Sequence, residues 1–506
     1  MNIGLRVEDL HIAGPNGPLV HGINFEIESG KSLAIIGESG SGKTLTARAV
    51  TGVLPRGVIA TGSITIKDKT IALGNAKPNI SLGEDAVLLL QDPYTSLSPV
   101  HTCGEQIAWT IQARNKTKID IKDEVLARLE EVQLPERIYG QYPHELSGGM
   151  RQRVAIAAAI AADSELFIAD EPTSALDAST QGEILDLLRR LQESRGMTLI
   201  LISHDLGIVR RRADIVIVMK SGTIVEMGTT QQIFQNPQHD YTKMLLAASP
   251  SIDVRPADIS RRSQPRLQVR NLNKSFGRRE VLRSADIEVG SGEIVALLGE
   301  SGSGKTTLAR CIAGLEIPDS GDILLVGKPL TYGRKGRSPQ DIQMVFQDPY
   351  STLNPFFTVQ QTLGQALSVA GRSASEVPEL LEMVGLAPEI AKRRARQLSG
   401  GQRQRVAIAR ALAPRPSLLI CDEAVSALDV TVQAQILDLL MNLRNELNLS
   451  VLFISHDIAV VSYVSDYVYI VSDGKLVEEG STANIMRHQS HPATAKIVAA
   501  ARSESL

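Results

Sequence analysis

The same set of short motifs occurs twice in this 506-residue chain, in the same order. GESGSGKT spans residues 37–44 and returns 262 residues later, at 299–306. QDPY begins at Gln91 and at Gln347, an offset of 256. LSGG begins at Leu146 and Leu398, SALD at Ser174 and Ser426, and ISHD at Ile202 and Ile454, all at an offset of 252. Five motifs repeated in the same order mean a duplicated domain. Insertions and deletions are confined to the stretch before LSGG, and the constant spacing after it is what a rigid core requires. A period this long excludes a solenoid and gives units of domain size. We place the first unit at 1–248 and the second at 267–506. Between them, residues 249–266 read SPSIDVRPADISRRSQPR, with three prolines and little apolar periodicity, as in a linker. Its length suits two domains lying against each other.

Within each unit short apolar runs alternate with helical stretches. Ser32–Ile36 and Ile294–Leu298 read as buried strands running into the glycine-rich motif. Leu166–Ala169 and Leu418–Cys421 read likewise and are each followed by two acids. Thr198–Ile202 and Ser450–Ile454 lead to a histidine, and Gln181–Leu191 has helical spacing. Such alternation predicts an α/β fold with a mainly parallel sheet. The first segment of each unit, with Gly62–Ile66 and Gly321–Val326, predicts an antiparallel β subdomain.

Composition narrows the functional classes. A formal net charge of −3 supplies no global basic field for nucleic acid. Arg210-Arg211-Arg212 reads as a solvated helix end. Cys103, Cys311 and Cys421 are odd in number and far apart, as expected of reduced thiols and not of a disulfide or zinc framework. The first ten residues lack the apolar core of a secretory signal. The longest apolar run, Val154–Ala162, is far shorter than the ~20 residues a membrane helix needs. The chain is therefore expected to be soluble by itself and to act at a membrane only through a spanning partner.

The motifs carry phosphate chemistry. GESGSGKT fits the P-loop pattern G-x-x-x-x-G-K-[ST]. Its residues are Gly37, Glu38, Ser39, Gly40, Ser41, Gly42, Lys43 and Thr44 in one unit and Gly299, Glu300, Ser301, Gly302, Ser303, Gly304, Lys305 and Thr306 in the other. Glycines let backbone N–H groups converge on phosphate oxygens, and the following helix adds its positive end. Lys43 and Lys305 are placed to reach the β- and γ-phosphates, and Thr44 and Thr306 to offer a hydroxyl to Mg²⁺. Asp170 and Asp422, ending apolar strands, suit a Mg²⁺ role. Glu171 and Glu423 suit the base that polarises the attacking water. His204 and His456 each lie 34 residues beyond their aspartate, which favours a γ-phosphate sensor. Ser147 and Ser399 are expected to cap helices, with Gly148, Gly149, Gly400 and Gly401 leaving N–H groups open to phosphate.

Together these motifs resemble the ABC ATPase family over nearly the whole chain: Walker A, the Q-loop glutamines Gln91 and Gln347, the LSGG signature, Walker B, the SALD D-loop and the switch histidines. The resemblance implies two P-loop NTPase cassettes, each with a parallel-sheet core, an antiparallel β subdomain and a helical signature subdomain. It implies ATP and Mg²⁺ as cofactors, with Gln91 and Gln347 among the metal ligands. It further implies an intramolecular head-to-tail pair. One site then joins Lys43, Thr44, Gln91, Asp170, Glu171 and His204 with Ser399, Gly400 and Gly401. The other joins Lys305, Thr306, Gln347, Asp422, Glu423 and His456 with Ser147, Gly148 and Gly149. Because both glutamates and both histidines are present, two hydrolytic sites are expected. Family members usually stack adenine on an aromatic residue before the first core strand. Phe276 suits that place in the second unit, whereas the same offset puts Gly14 in the first, where His11 is a candidate substitute.

A narrower resemblance is carried by QDPYTSLSP, QDPYSTLNP and YPHELSGGMRQR, which look like dipeptide, oligopeptide and nickel importers. NPQHDYTKMLLAASP, at 236–250, is similar to that subfamily's tail, with Asp240 in place of its usual proline. The second unit keeps only His491-Pro492. Some relatives carry a cysteine cluster after the tail; with none here, no iron–sulfur centre is expected. The resemblance implies a peripheral subunit on the cytoplasmic face of the membrane. Its partners would be two membrane-spanning permeases and, indirectly, an extracytoplasmic substrate-binding protein, with no nucleic acid. The segments after Gln91 and Gln347 would receive the permeases. A soluble tandem ATPase acting on ribosomes or DNA, and an exporter ATPase, are the competing classes. The short linker and absence of zinc cysteines argue against the first, and the importer-like motifs against the second.

Overall fold

We describe a computed structural model of the chain. It describes residues 2–74, 84–91, 96–114, 121–173, 176, 178–203, 205–248, 264–426 and 428–505. The chain divides into two compact units, Met1–Ala248 and Ser249–Leu506.

In the first unit β1 (Ile3–Gly14) and β2 (Gly17–Glu28) form a long antiparallel hairpin. β3 (Ser32–Ile36) follows at once, with all five residues buried, as a strand covered on both faces must be. β4 (Ile59–Ile66) and β5 (Lys69–Leu73) complete an antiparallel sheet of order β2-β1-β4-β5. A second sheet is built from β3 with β6 (Ala86–Leu89), β7 (Leu166–Asp170), β8 (Thr198–Ile202), β9 (Ile215–Lys220) and β10 (Thr223–Thr229). Its order is β10-β9-β3-β8-β7-β6, and only the β9–β10 edge is antiparallel. Parallel neighbours need crossover connections, which the helices supply.

The second unit repeats this plan. β11 (Pro265–Phe276), β12 (Arg279–Gly290), β14 (Ser320–Leu325) and β15 (Lys328–Pro329) form the antiparallel sheet, with β13 (Ile294–Leu298) between them in sequence. β13 joins β16 (Ile342–Val345), β17 (Leu418–Asp422), β18 (Ser450–Ser455), β19 (Tyr467–Ser472) and β20 (Lys475–Ser481) in the order β16-β17-β18-β13-β19-β20. Read from the other edge, this is the sheet of the first unit.

Each unit sets the helix that follows its glycine-rich loop, Lys43–Val50 or Lys305–Ile312, in an apolar layer between its two sheets. A separate helical layer holds the LSGG serine. In the first unit its helices are Cys103–Arg114, Ile121–Glu131 and Gly148–Ile160, packed through Ile107, Ile111, Val125, Leu129 and Val154. In the second they are Val359–Val369, Val377–Met383 and Gly400–Leu412, packed through Leu363, Leu367, Leu380 and Val406. Among the described residues no helix is long and apolar enough to cross a membrane.

Three strands run past the ends expected of them: β7 and β17 include the aspartates Asp170 and Asp422, and β18 includes Ser455. β14 stops at Leu325 because Val326 turns to a φ of 50°. β11 begins at Pro265, inside the stretch read as a linker, because Pro265 already pairs with Gly290; residues 249–263 lie outside the described residues. Arg212 is not a freely solvated helix end, since its guanidinium meets Asp186 at 2.8 Å. All three cysteines are buried, and burial pushes Cys103 and Cys311 up to about 11 and Cys421 up to about 12.

Phe453 on β18 is fully buried in the layer that also holds Val406 and Leu440. Phe453→Ala should cost about 3–5 kcal/mol. Urea unfolding followed on the second unit checks this, and an unchanged midpoint would show that the strand is not packed as described.

Candidate nucleotide sites, one in each unit

Each site starts where a buried strand ends against its neighbour. A Cβ on Gly37 would lie 2.1 Å from the carbonyl oxygen of Met219 on β9; one on Gly299 would lie 2.1 Å from that of Val471 on β19. Only glycine allows this approach, and with φ of 145° at Gly37 the chain leaves β3 in a direction side chains rarely permit. Four residues on, Ser41 N–H returns to the Glu38 carbonyl at 3.1 Å, closing the loop. Gly42, at φ 102°, then caps the helix with no side chain of its own, leaving the first N–H groups facing the loop.

The lysines fold back into the loop. Lys43 is buried, and its ammonium donates to the carbonyls of Gly37 at 2.8 Å and Glu38 at 2.9 Å. Lys305 does the same to Gly299 and Glu300, both at 2.8 Å. A buried charge must be compensated. Here loop carbonyls do so, and phosphate oxygens could replace them. The next residue joins the loop to the acidic strand: the Thr44 hydroxyl donates to Asp170 at 3.1 Å, and Thr306 to Asp422 at 3.1 Å.

Burial pushes the carboxyls of Asp170 and Asp422 upward, only partly offset by the threonine hydrogen bonds, and the neighbouring Glu171 or Glu423 adds to the rise. A buried carboxylate beside a hydroxyl is a hard-oxygen donor pair, which suits a small divalent cation such as Mg²⁺.

Glu171 and Glu423 both take a φ of 47°, a left-handed conformation costly for a residue with a Cβ. Each is held there by its own N–H, which donates to the last apolar strand residue, Ile202 or Ile454, at 3.0 Å. The turn swings the glutamate away from the adjacent aspartate and toward the Q-loop. There Gln91 Nε2 donates to Glu171 at 2.7 Å, and Gln347 Nε2 to Glu423 at 2.7 Å. The structure thus sets the amide nitrogen of each glutamine, a residue expected beside the metal, on the glutamate expected as base. In the second unit His456 Nδ1 lies 3.3 Å from the other Glu423 oxygen. Burial raises Glu423, but the hydrogen bond and charge of His456 outweigh it and the carboxyl ends lower than usual. Burial lowers His456, and Glu423 outweighs that in turn, so the imidazole ends raised. His204 lies outside the described residues, as do most of the first SALD and residues 92–95.

The signature serines cap helices as expected. Ser147 accepts from Met150 N–H at 3.3 Å and Ser399 from Gln402 N–H at 3.2 Å. The following glycines have a role in packing that the motif alone does not disclose. A Cβ on Gly149 would lie 2.5 Å from Thr180 Cγ2, and one on Gly401 would lie 2.4 Å from Val432 Cγ1. Gly148 and Gly400 face only ordinary contacts.

The two hairpin tips differ. Phe276 ends β11 exposed, with the Lys274 ammonium 5.0 Å from its ring centroid. Gly14 ends β1 in the matching place and has no ring. His11 does not supply one: it lies three residues back, paired across β1–β4 with Thr61 and bonded to Asp9 at 3.0 Å. Leu19 instead fills the space beside Gly14, its Cδ1 3.0 Å from where a Cβ would be. Sequence reasoning missed Leu19, which has no motif around it.

Comparison with known proteins matches these two constellations to one family model. Residues 20–174 and 282–426 match the model described as ABC transporter, together more than half the chain. The chain belongs to the ABC transporter family. As in other ABC ATPases, it binds and hydrolyses ATP. Residues 225–279 match a second model, the oligopeptide/dipeptide transporter C-terminal region. Over 98% of its length the chain is 39% identical to the glutathione import ATP-binding protein GsiA of Escherichia coli (strain K12), covering 89% of that protein. The GsiA protein of Shigella boydii serotype 4 matches to the same extent. Among solved structures, archaeal ribosome recycling factor aABCE1, in complex with the ribosomal stalk protein aP1, shares the fold over 95% of this chain and 91% of its own. The TM-score is 0.65 and the identity 21%, a likeness of fold alone.

Replacing Gly37 or Gly299 with alanine should abolish ATP binding by the unit that carries it, since no side chain at 2.1 Å from a strand carbonyl can be accommodated. Calorimetric titration of the full chain should then find one nucleotide where the parent binds two. Retention of both would refute this account of the loop.

Proposed function

We propose that the chain is the ATP-hydrolysing subunit of a peptide-type importer, driving uptake of dipeptides, oligopeptides or a related small solute through membrane permeases. The observation that carries this is the match of residues 225–279 to the oligopeptide/dipeptide transporter region, next to a complete hydrolytic set in a relative of import ATPases. The glutathione named for those relatives is one candidate cargo.

In this reading Lys43 and Lys305 leave their loop carbonyls for the β- and γ-phosphates, whose charge repays their burial. Thr44, Asp170 and Gln91, and Thr306, Asp422 and Gln347, would hold Mg²⁺, which neutralises charge on the phosphates. Glu171 and Glu423 orient and polarise the attacking water, each kept in place by its strained turn and its glutamine. His456 steadies Glu423 and would sense the γ-phosphate, the sensing role also expected of His204 in the other set. The caps at Ser147 and Ser399, with Gly148, Gly149, Gly400 and Gly401, are ready-made phosphate sites. Each would complete the site of the opposite unit, so that closure on ATP and opening after hydrolysis supply the working stroke. Phe276 would stack adenine in one site; in the other Leu19 offers an aliphatic surface only. Two permeases would dock beyond Gln91 and Gln347 on the cytoplasmic face, with an extracytoplasmic binding protein selecting the cargo and no nucleic acid involved. The domains would be 1–248 and 265–506, the second starting two residues earlier than its motifs alone suggest because Pro265 already pairs in β11.

Glu171→Gln and Glu423→Gln should each lower steady-state ATPase activity, and the double variant should lose on the order of 100-fold or more. A single variant with full activity would rule out two working sites. Co-purification with two permeases, followed by ligand-stimulated ATPase in liposomes, tests the importer reading. Stable co-sedimentation with ribosomes instead would overturn it.

A further inference from the structure

The importer-type tail of the first unit reaches its phosphate loop. Tyr241, at the start of the helix Asp240–Ala247, is buried. Its hydroxyl accepts the backbone N–H of Glu38 at 3.1 Å, and the Lys220 ammonium lies 4.7 Å from its ring centroid. The helix start is built to present it. His239 Nδ1 accepts Tyr241 N–H at 3.1 Å, and the Glu226 carboxylate takes the N–H groups of Gln238 at 2.8 Å and His239 at 3.1 Å.

The peptide between Gly37 and Glu38 is therefore held at both ends. Its N–H is bound by Tyr241, and its carbonyl takes the Lys43 ammonium at 2.8 Å. We propose that Tyr241 is a positioning residue for the first ATP site, fixing the peptide plane from which Lys43 is delivered to phosphate. The proposal rests on the reading of these loops as ATP sites, which wild-type ATP binding tests separately.

The second unit keeps the scaffold and changes the contact. Glu478 takes the N–H groups of Ser490 at 2.7 Å and His491 at 3.1 Å, and His491 Nδ1 accepts Ala493 N–H at 3.2 Å. Ala493 stands where Tyr241 does and has no hydroxyl. Lys496, one turn along, meets the Glu300 carboxylate at 3.1 Å, with the two side chains 67% and 53% exposed. The same loop position is grasped by an ion pair open to solvent, which salt screens, whereas the buried tyrosine bond is insensitive to salt.

The test uses the full chain with one loop disabled at a time. In a Lys305→Ala background, Tyr241→Phe keeps the buried ring and removes the hydroxyl. ATP affinity should fall about five-fold, equally at low and high salt, with the melting temperature little changed. In a Lys43→Ala background, Lys496→Ala should weaken ATP binding at low salt only. Unchanged affinity in Tyr241→Phe, or a loss that merely tracks a lower melting temperature, would overturn the proposal. A Lys496→Ala effect that persists at high salt would overturn the contrast between the two loops.

Discussion

A glycine pressed against a strand carbonyl, Gly37 on Met219 and Gly299 on Val471, is the contact on which each site depends. It sets where the loop leaves its strand, and so where the helix begins and how far the lysine must fold back. From that seat the threonine reaches the aspartate on the next strand but one of the sheet, with the glutamate one residue beyond it in the chain. The chemistry thus rests on backbone proximity that no side chain could mediate.

The glutamates show how the fold separates two adjacent acids. Asp170 and Glu171 are neighbours in sequence, yet one points at a hydroxyl and the other at an amide. The left-handed turn at the glutamate, tied down by a strand carbonyl, makes the difference. The separation is not complete, since the glutamate's charge still adds to the upward shift of its aspartate. Conformational strain is accepted here to give two adjacent acids different partners.

Much of this was legible in the sequence. GESGSGKT after an apolar run predicts strand, loop and helix because glycine spacing and strand burial are local properties, and Ser32–Ile36 and Ile294–Leu298 emerge with the expected bounds. The LSGG caps follow from local hydrogen bonding for the same reason. What the sequence hid depends on contacts distant along the chain. The tail motif around Tyr241 is plain to read, but its bond to Glu38 spans 203 residues. The packing duty of Gly149 depends on Thr180, in a different helix. Leu19 is a local exception: it meets Gly14 across the β1–β2 hairpin with no motif to mark it, while His11 sits three residues back on β1, bonded to Asp9.

The buried cysteines have a practical consequence for watching such a motor turn over. Burial keeps all three thiols away from solvent and holds them well above the usual thiol range, so the reactive thiolate is disfavoured. Thiol-directed dyes and spin labels therefore have almost nothing native to react with while the chain stays folded. A cysteine placed on an exposed surface becomes the sole reporter without first stripping out the natural ones, and the cores they fill stay intact.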